Sequence, residues 1–151
     1  DYLHKASKKL IDYCLTNKIG KIVIGHNKNW KQEVNIGKKN NQNFVNIPFN
    51  KFIQMIEYKA KLKGISTIVT EENYTSKCSF IDNEKICKHD EYCGKRIKRG
   101  LFQTKNGYLI NSDINGAFNI LRKAVPIFDV NSLSYGIEGF AVNPVILKII
   151  N

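Results

Sequence analysis

The chain has 151 residues, 42% of them hydrophobic, and a net charge of +11 from 24 basic and 13 acidic side chains. This length allows one domain with a modest core, and the hydrophobic content excludes a disordered chain. The positive charge is typical of a nucleic-acid-binding protein, although a lysine-rich proteome would produce it too. No apolar run reaches a membrane span and no signal peptide opens the chain, so we expect a cytoplasmic protein, or one associated with nucleic acid inside the cell.

The first half of the chain predicts a helix, a strand, a second helix and a second strand. Apolar residues at helical spacing predict an amphipathic helix over 1–18, and residues 21–26 form a short β-branched strand. Pro48 opens the second helix as a first-turn residue, and Gly64 caps it. Residues 65–71 are a strand by their β-branched content. This order predicts a parallel pair of strands joined by a right-handed crossover.

The second half is less periodic. Residues 73–106 contain three cysteines and the basic segment GKRIKRG but no clear helical or strand pattern. Residues 107–111 predict a short strand, and 112–124 predict a helix with Asp113 as its N-cap. The tail after Pro126 is apolar and interrupted by glycines.

Two acidic residues stand at the ends of predicted elements. Glu71 ends a strand, and Asp113 opens a helix directly after another strand. If these strands are neighbours in one sheet, the carboxylates converge at its edge, where a cation would relieve their repulsion. Mg²⁺ or Mn²⁺ suits oxygen ligands of this kind, and a pair of such ions cleaves phosphodiesters. Taken singly, each residue is more often a solvated Glu or a capping Asp, and it is their joint occurrence, with a basic loop between them, that favours a metal site.

Three segments resemble the C-terminal part of OrfB-type (TnpB) insertion-sequence proteins: EENYTSKCSF, GKRIKRGLF and NSDINGAFNILRK. The resemblance extends over most of residues 1–125. Members of that family are transposon-encoded, RNA-guided DNA endonucleases whose RuvC-like nuclease has an RNase H fold and three separated acids. The resemblance therefore implies an α/β fold with an RNase H-like mixed sheet flanked by helices. It implies Glu71 as the second catalytic acid and Asp113 as the third, with Glu72 as an alternative to Glu71.

The family's first acid, an Asp in a segment resembling G-I-D-x-G, has no match in the chain. We expect it upstream of residue 1, in a missing N-terminal part of the same protein that also recognises the guide RNA. The sheet would then be incomplete at its N-terminus, and this chain by itself would be inactive. A non-catalytic nucleic-acid-binding remnant is the alternative. The resemblance divides the chain into a RuvC-like part over 1–72, a zinc-ribbon-like insertion over 73–106, a RuvC-like part over 107–125 and a tail over 126–151.

The insertion departs from the family's zinc ribbon, which has two Cys-x-x-Cys pairs. This chain has Cys78, Cys87 and Cys93 but no such pair, and His89 could supply a fourth zinc ligand. Zinc held by these four side chains is one alternative, and a degenerate ribbon stabilised by ordinary packing is the other. If zinc is bound, a small zinc-dependent interaction domain is a third possible function.

Basic and aromatic residues are the candidates for nucleic-acid contacts. The segment between Gly94 and Gly100 can approach a phosphate backbone closely, or it can be a solvated run of charge. Trp30, in a loop rich in Lys and Asn, can stack on a base or anchor local packing. DNA and guide RNA are the expected partners. The basic residues of the segment are Lys95, Arg96, Lys98 and Arg99.

Overall fold

The structure is a computed structural model that describes residues 1–27, 48–133 and 146–149. The chain divides into two compact units. The first comprises Asp1–Ile68 with a short segment from Leu147, and the second comprises Val69–Ile146. Among the described residues, every helix is too short or too polar to cross a membrane.

The described elements are three α-helices and five short strands, and four of the strands follow one another between the second and third helices. Helices α1, α2 and α3 comprise Tyr2–Thr16, Phe49–Leu62 and Ser112–Ala124. Strands β1 and β2 comprise Lys21–Gly25 and Ser66–Thr70, and strands β3, β4 and β5 comprise Lys95–Lys98, Leu101–Gln103 and Leu109–Asn111. A 3₁₀ turn, Val130–Ser132, follows α3. This mixed α/β content agrees with the predicted fold class at the level of its elements.

The first unit packs α1 against α2 through an apolar core. Both helices are amphipathic, and their apolar faces meet because burying them removes hydrocarbon from water. Side chains of β1 and of Ile65, the residue just before β2, complete the cluster. Its buried members are Ile11, Cys14, Ile56, Ala60 and Ile65, and Leu10, Ile22, Ile24 and Phe52 pack against them.

Strands β1 and β2 are neighbours in a two-stranded sheet. The Ser66 N–H donates to the carbonyl oxygen of Gly20 at 3.0 Å. Since Gly20 immediately precedes β1 and Ser66 opens β2, the two strands start at the same end of the sheet and run parallel, as the sequence predicts.

Each helix of this unit is followed, two residues after its last helical residue, by a residue with left-handed backbone conformation (positive φ). Gly64 has a φ of 71° after α2, which confirms it as the predicted cap. After α1 the same position is occupied by Lys18, with a φ of 55°. The Ile19 N–H then closes on the carbonyl of Cys14 at 2.8 Å, the six-to-one bond of a Schellman motif. Pro48, predicted inside α2, lies one residue before it, at the N-cap.

The second unit contains an antiparallel three-stranded sheet in the order β3-β4-β5. A bulge interrupts β3 between Arg96 and Lys98. Directly paired residues share one face of a sheet, and neighbours along a strand alternate between faces. The three rows across the sheet are Lys95, Gln103 and Leu109; Arg96, Phe102 and Ile110; and Lys98, Leu101 and Asn111. Phe102 and Ile110 are buried and contact Ile114 of α3, so the middle row faces the core.

Two expectations about this region are wrong. Strand β5, which precedes Asp113, pairs with β4. Strand β2, which precedes Glu71, pairs with β1. The strands next to the two acids therefore belong to different sheets. A short connection makes the β4–β5 hairpin easy to close, because little chain entropy is lost. The N-cap of α3 is Asn111, whose Oδ1 accepts from the N–H groups of Asp113 (2.9 Å) and Ile114 (3.2 Å). Asp113 lies in the first turn instead.

Candidate functional site

The two predicted catalytic acids are both exposed and both belong to the second unit. Glu71 directly follows β2, and the alternative acid Glu72 is partly buried. Asp113 is the acidic residue of the first turn of α3, where the helix dipole favours negative charge. Each carboxylate can reach a ligand, because solvent can reach each side chain.

A tight turn follows the pair of glutamates. Both the N–H and the Oγ1 of Thr75 donate to the carbonyl oxygen of Glu72, at 3.1 and 2.7 Å. Tyr74 has a φ of 65°, and its carbonyl accepts from the Cys78 N–H at 3.0 Å. A positive φ at a bulky residue persists only where its surroundings enforce it. The next residue along the chain, Thr75, is hydrogen-bonded to α3.

Two asparagines of α3 hold this turn by their side chains. Asn119 donates through Nδ2 to the carbonyls of Thr75 (2.9 Å) and Cys78 (2.7 Å). Asn115 donates to the Cys78 carbonyl at 2.9 Å and accepts from the Phe80 N–H at 2.9 Å. Both asparagines are 0% exposed, and their spacing of four residues places them on one helical stripe. The most buried side chains of α3 are therefore amides that satisfy loop backbone.

Arg122 extends the same stripe by one turn. Its guanidinium donates to Asn119 Oδ1 (2.9 Å), to Asn83 Oδ1 (2.6 Å) and to the carbonyl of Glu84. It also lies 5.8 Å from the ring centroid of Phe80. Burial lowers the pKa of Arg122, because desolvation disfavours its charged form.

Glu84 closes the loop from the other side. Its carboxylate is buried and accepts from the N–H groups of Ser79 (2.7 Å) and Cys93 (2.9 Å). A buried carboxylate is stable only when hydrogen bonds replace its lost hydration, and these two amides supply them. The segment from Thr75 to Cys93 is thereby fastened at both ends without secondary structure of its own.

The four candidate zinc ligands do not converge. The Sγ of the buried Cys78 lies 3.4 Å from the carbonyl of Lys85, and burial raises the pKa of this thiol. Cys87 Sγ contacts His89 Nε2 at 3.4 Å, whereas Cys93 is exposed. In the ranges that the structure describes, no three His, Cys, Asp or Glu side chains are grouped so that they could hold a metal ion. This donor arrangement does not fit a tetrahedral zinc ribbon.

The basic segment forms β3 and the turn after it. All of β3 is exposed, as is Arg99 next to Gly100, whose φ is 76°. Lys95 and Lys98 share the sheet face that points away from the core, and Arg96 shares the row of the buried Phe102. Trp30 lies outside the described residues.

Known proteins match this architecture. Residues 49–120 match the family model Cas12f1-like, TNB domain. The TnpB-like protein ORF457 of Acidianus two-tailed virus is 33% identical over 95 residues, which is 62% of this chain and 19% of that protein. The CRISPR-associated endodeoxyribonuclease Cas12f2 of Micrarchaeota archaeon (strain CG1_02_47_40) is 32% identical over 127 residues, or 81% of this chain and 23% of that protein. The chain is a relative of the TnpB and Cas12f proteins. The resemblance to the TnpB family is thus confirmed.

A solved structure shares the fold. The cryo-EM structure of a Cas12f1–sgRNA–target DNA complex superposes with a TM-score of 0.59 at 22% identity, covering 84% of this chain and 33% of that one. The chain spans only about a fifth of the length of its two curated TnpB and Cas12f relatives, 19% and 23% respectively.

Sequence reasoning missed the polar network. On α3, Asn115 and Asn119 are fully buried, whereas the apolar Ala117 is exposed. The available signal was a pair of asparagines about one turn apart in the interior of an amphipathic helix, since Asn is unfavourable there unless its amide bonds elsewhere.

Proposed function

We propose that this chain is the C-terminal part of a transposon-encoded, RNA-guided DNA endonuclease of the TnpB type, in which Glu71 and Asp113 bind Mg²⁺ or Mn²⁺. Relationship to TnpB and Cas12f proteins supports the activity. The observation that carries the assignment of the acids is the attachment of α3, which bears Asp113, to the turn that follows Glu71 and Glu72. These bonds link the helix that bears Asp113 to the segment that follows the two glutamates, and this link supports the proposal.

The two carboxylates act in this proposal as metal ligands. Both are exposed at the ends of their elements, so their oxygens are free of the core. Bound divalent metal would activate a water and stabilise the leaving oxygen of a phosphodiester. Mg²⁺ commonly takes only one or two carboxylates and completes its shell with water and phosphate. Only two of the family's three acids have counterparts in this sequence, so we propose that the chain alone does not cleave DNA.

The nucleic acid would lie on the outer face of the three-stranded sheet, which we name the open face. Lys95 and Lys98 line its edge, and the exposed Leu109 and half-buried Gln103 lie beside them. Ammonium groups neutralise phosphates, while an apolar side chain can pack against sugar or base. The proposed partners include DNA and guide RNA, and the sgRNA and target DNA of the Cas12f1 complex support these two. The N-terminal part of the same protein is a further proposed partner, which rests on the sequence resemblance alone.

A Mn²⁺ titration tests the metal ligands. Free Mn²⁺, measured by its EPR signal, should fall on addition of the chain, and Glu71→Gln and Asp113→Asn should each weaken binding at least about tenfold, because each removes a charged oxygen ligand. Glu91→Gln, at an exposed acid of the same unit, is the matched control and should bind like the wild type. A loss in Glu72→Gln but not in Glu71→Gln would transfer the role to Glu72.

If neither Glu71→Gln nor Asp113→Asn changes Mn²⁺ affinity, the catalytic proposal fails. Retained DNA binding would then favour the alternative, a nucleic-acid-binding remnant without catalysis. Its basic open face would suffice for that function.

Single charge removals test the open face. Fluorescence anisotropy with labelled DNA should show weaker binding for Lys98→Ala, and the slope of log affinity against log salt should drop by roughly 0.7–0.9 for each phosphate that the protein no longer neutralises. Arg96→Ala removes the same charge from the same strand but from the core-facing row. Equal losses for the two variants would show that net charge, and not the open face, determines binding.

A further inference from the structure

We propose that Asn119, assisted by Asn115, is a positioning residue that fixes the segment after Glu71 and Glu72 in one register against the start of α3. The positioning role rests on the proposed function, because it concerns the placement of the two acids that would share a metal. Neither asparagine is exposed, so neither touches a substrate itself.

The connection from Asn119 to the acids is short. Its Nδ2 binds the Thr75 carbonyl, and Thr75 binds the Glu72 carbonyl through both its N–H and its hydroxyl. In the other direction, Asn119 lies fewer than two helical turns from Asp113 on the same rigid helix. A displacement of the turn would therefore be transmitted to Glu72 and Glu71, three and four residues before Thr75, while Asp113 stayed with α3.

Only an amide meets every requirement at this position. Asn119 donates two hydrogen bonds, to the carbonyls of Thr75 and Cys78, and accepts one from Arg122. A carboxylate of the same shape would keep the bond from Arg122 but would face both carbonyls with an oxygen. An alkyl side chain would remove all three bonds in a buried site, and Asn115 and Arg122 would keep only their other contacts to the Cys78 carbonyl, Asn83 and Glu84.

Directional bonds give this contact its register. An apolar side chain at the same place could slide along the loop with little change in energy, whereas three bonds of fixed geometry define one arrangement. The neighbouring aromatic contact is less directional: Phe80 stacks on Phe118 at 4.8 Å and on Phe128 at 5.7 Å. Phe80 thus supplies burial for the loop, and the asparagines supply its alignment.

Amide hydrogen exchange tests the positioning role without any metal. In Asn119→Asp we expect the exchange of the Thr75 and Cys78 amides to rise at least about tenfold more than that of Asp113 and Ile114, because only the turn is released. Ile110→Val, which trims a core methylene of the same unit, is the control for general destabilisation. Its exchange should rise evenly across these amides. An even rise in Asn119→Asp as well would overturn the proposal.

Mn²⁺ affinity provides the second measurement. Asn119→Asp should weaken Mn²⁺ binding about tenfold at a temperature where the variant is folded, and Ile110→Val should not. Wild-type affinity in Asn119→Asp, beside weakened binding in Glu71→Gln, would overturn the positioning role and leave the proposed function intact. If wild-type protein binds no Mn²⁺, the proposed metal site fails, and the exchange pattern still decides the role of Asn119.

Discussion

The two units of the chain bury different chemistry. Every large buried side chain of the α1–α2 core is apolar, and the buried Ser7 is satisfied by the Leu3 carbonyl (2.7 Å) and by Lys59 Nζ (2.7 Å). Among its described residues, the second unit buries six polar side chains and four apolar ones. Its buried polar members are Thr75, Ser79, Glu84, Thr104, Asn115 and Asn119.

This difference follows from what each unit must do. Helices satisfy their own backbone, so an amphipathic pair needs only hydrocarbon at its contact. The irregular segment from Thr75 to Cys93 forms few hydrogen bonds between its own backbone groups. Side chains such as those of Asn115 and Glu84 therefore supply hydrogen-bond partners for its backbone N–H groups. In an apolar core, the loss of stability grows gradually with the volume of the side chain that is removed. In a polar network, a single substitution removes directional hydrogen bonds outright.

The largest effect we expect is in the apolar core. Ile56→Ala should lower the free energy of unfolding of the first unit by about 2–5 kcal/mol, because it removes buried methyl groups and leaves a cavity. Ile56→Val should cost only about 1 kcal/mol. Hydrogen exchange of α1 and α2 peptides in urea gives both values. A similar loss for the two variants would contradict the graded behaviour of this core.

A smaller but more abrupt effect is expected in the polar unit. Glu84→Gln keeps the size of the side chain yet should cost roughly 1.5–3 kcal/mol, because it replaces a charged acceptor with an amide whose NH₂ opposes a backbone donor. Exchange of the Ser79 and Cys93 amides is the measurement. Exposed Glu91→Gln should be neutral, and an equal change there would rule out a specific role for Glu84.

Each unit contains a buried thiol, so the pH dependence of stability can be measured separately for the two units. Burial raises the pKa of Cys78 above its usual value of 9.0. As pH rises, the thiol ionises in the unfolded chain before it ionises in the folded one. The stabilisation of the second unit by the neutral, buried Cys78 is therefore complete below about pH 9 and is lost as pH rises through the pKa of the folded state. The loss is at most about 1.4 kcal/mol per pH unit. Cys78→Ala should flatten this loss in the second unit only, leaving the corresponding loss from Cys14 in the first. Unfolding at pH 8–11, monitored unit by unit, provides the check.

The smallest effect concerns the end of α1. Lys18→Gly should stabilise the first unit by roughly 0.5–1 kcal/mol, because glycine adopts a positive φ without the strain of a side chain. Gly64→Ala, at the matching position after α2, should destabilise by a similar amount. Thermal unfolding compares the two, and stabilisation in both would contradict the argument.

Elements with strong periodicity could be predicted from the sequence. Helix α3 has the predicted limits, 112–124, and β2 differs from its predicted range only at the ends. Their apolar spacing and β-branched content are local properties that survive folding. The parallel pairing of β1 with β2 was predictable too, since a helix of suitable length joins them.

The β3–β4 hairpin and the polar network could not be predicted in the same way. Charged residues of β3 resemble a solvated loop, and only the glycine at position 100 marks the turn. The partner of β5 depends on which strand is near in space, which local pattern does not contain. The roles of Asn119 and Glu84 depend on the positions of the backbone groups to which they are hydrogen-bonded, and the sequence alone does not give those positions.

The bulge in β3 has a further consequence for the protein in solution. β3 is an outer strand of its sheet, and outer strands present unpaired backbone groups that can recruit a strand from another molecule. Lys95 and Lys98, with the bulge between them, make such intermolecular pairing unfavourable through repulsion and irregular geometry. These lysines therefore disfavour edge-to-edge pairing at β3 whether or not the sheet binds a ligand.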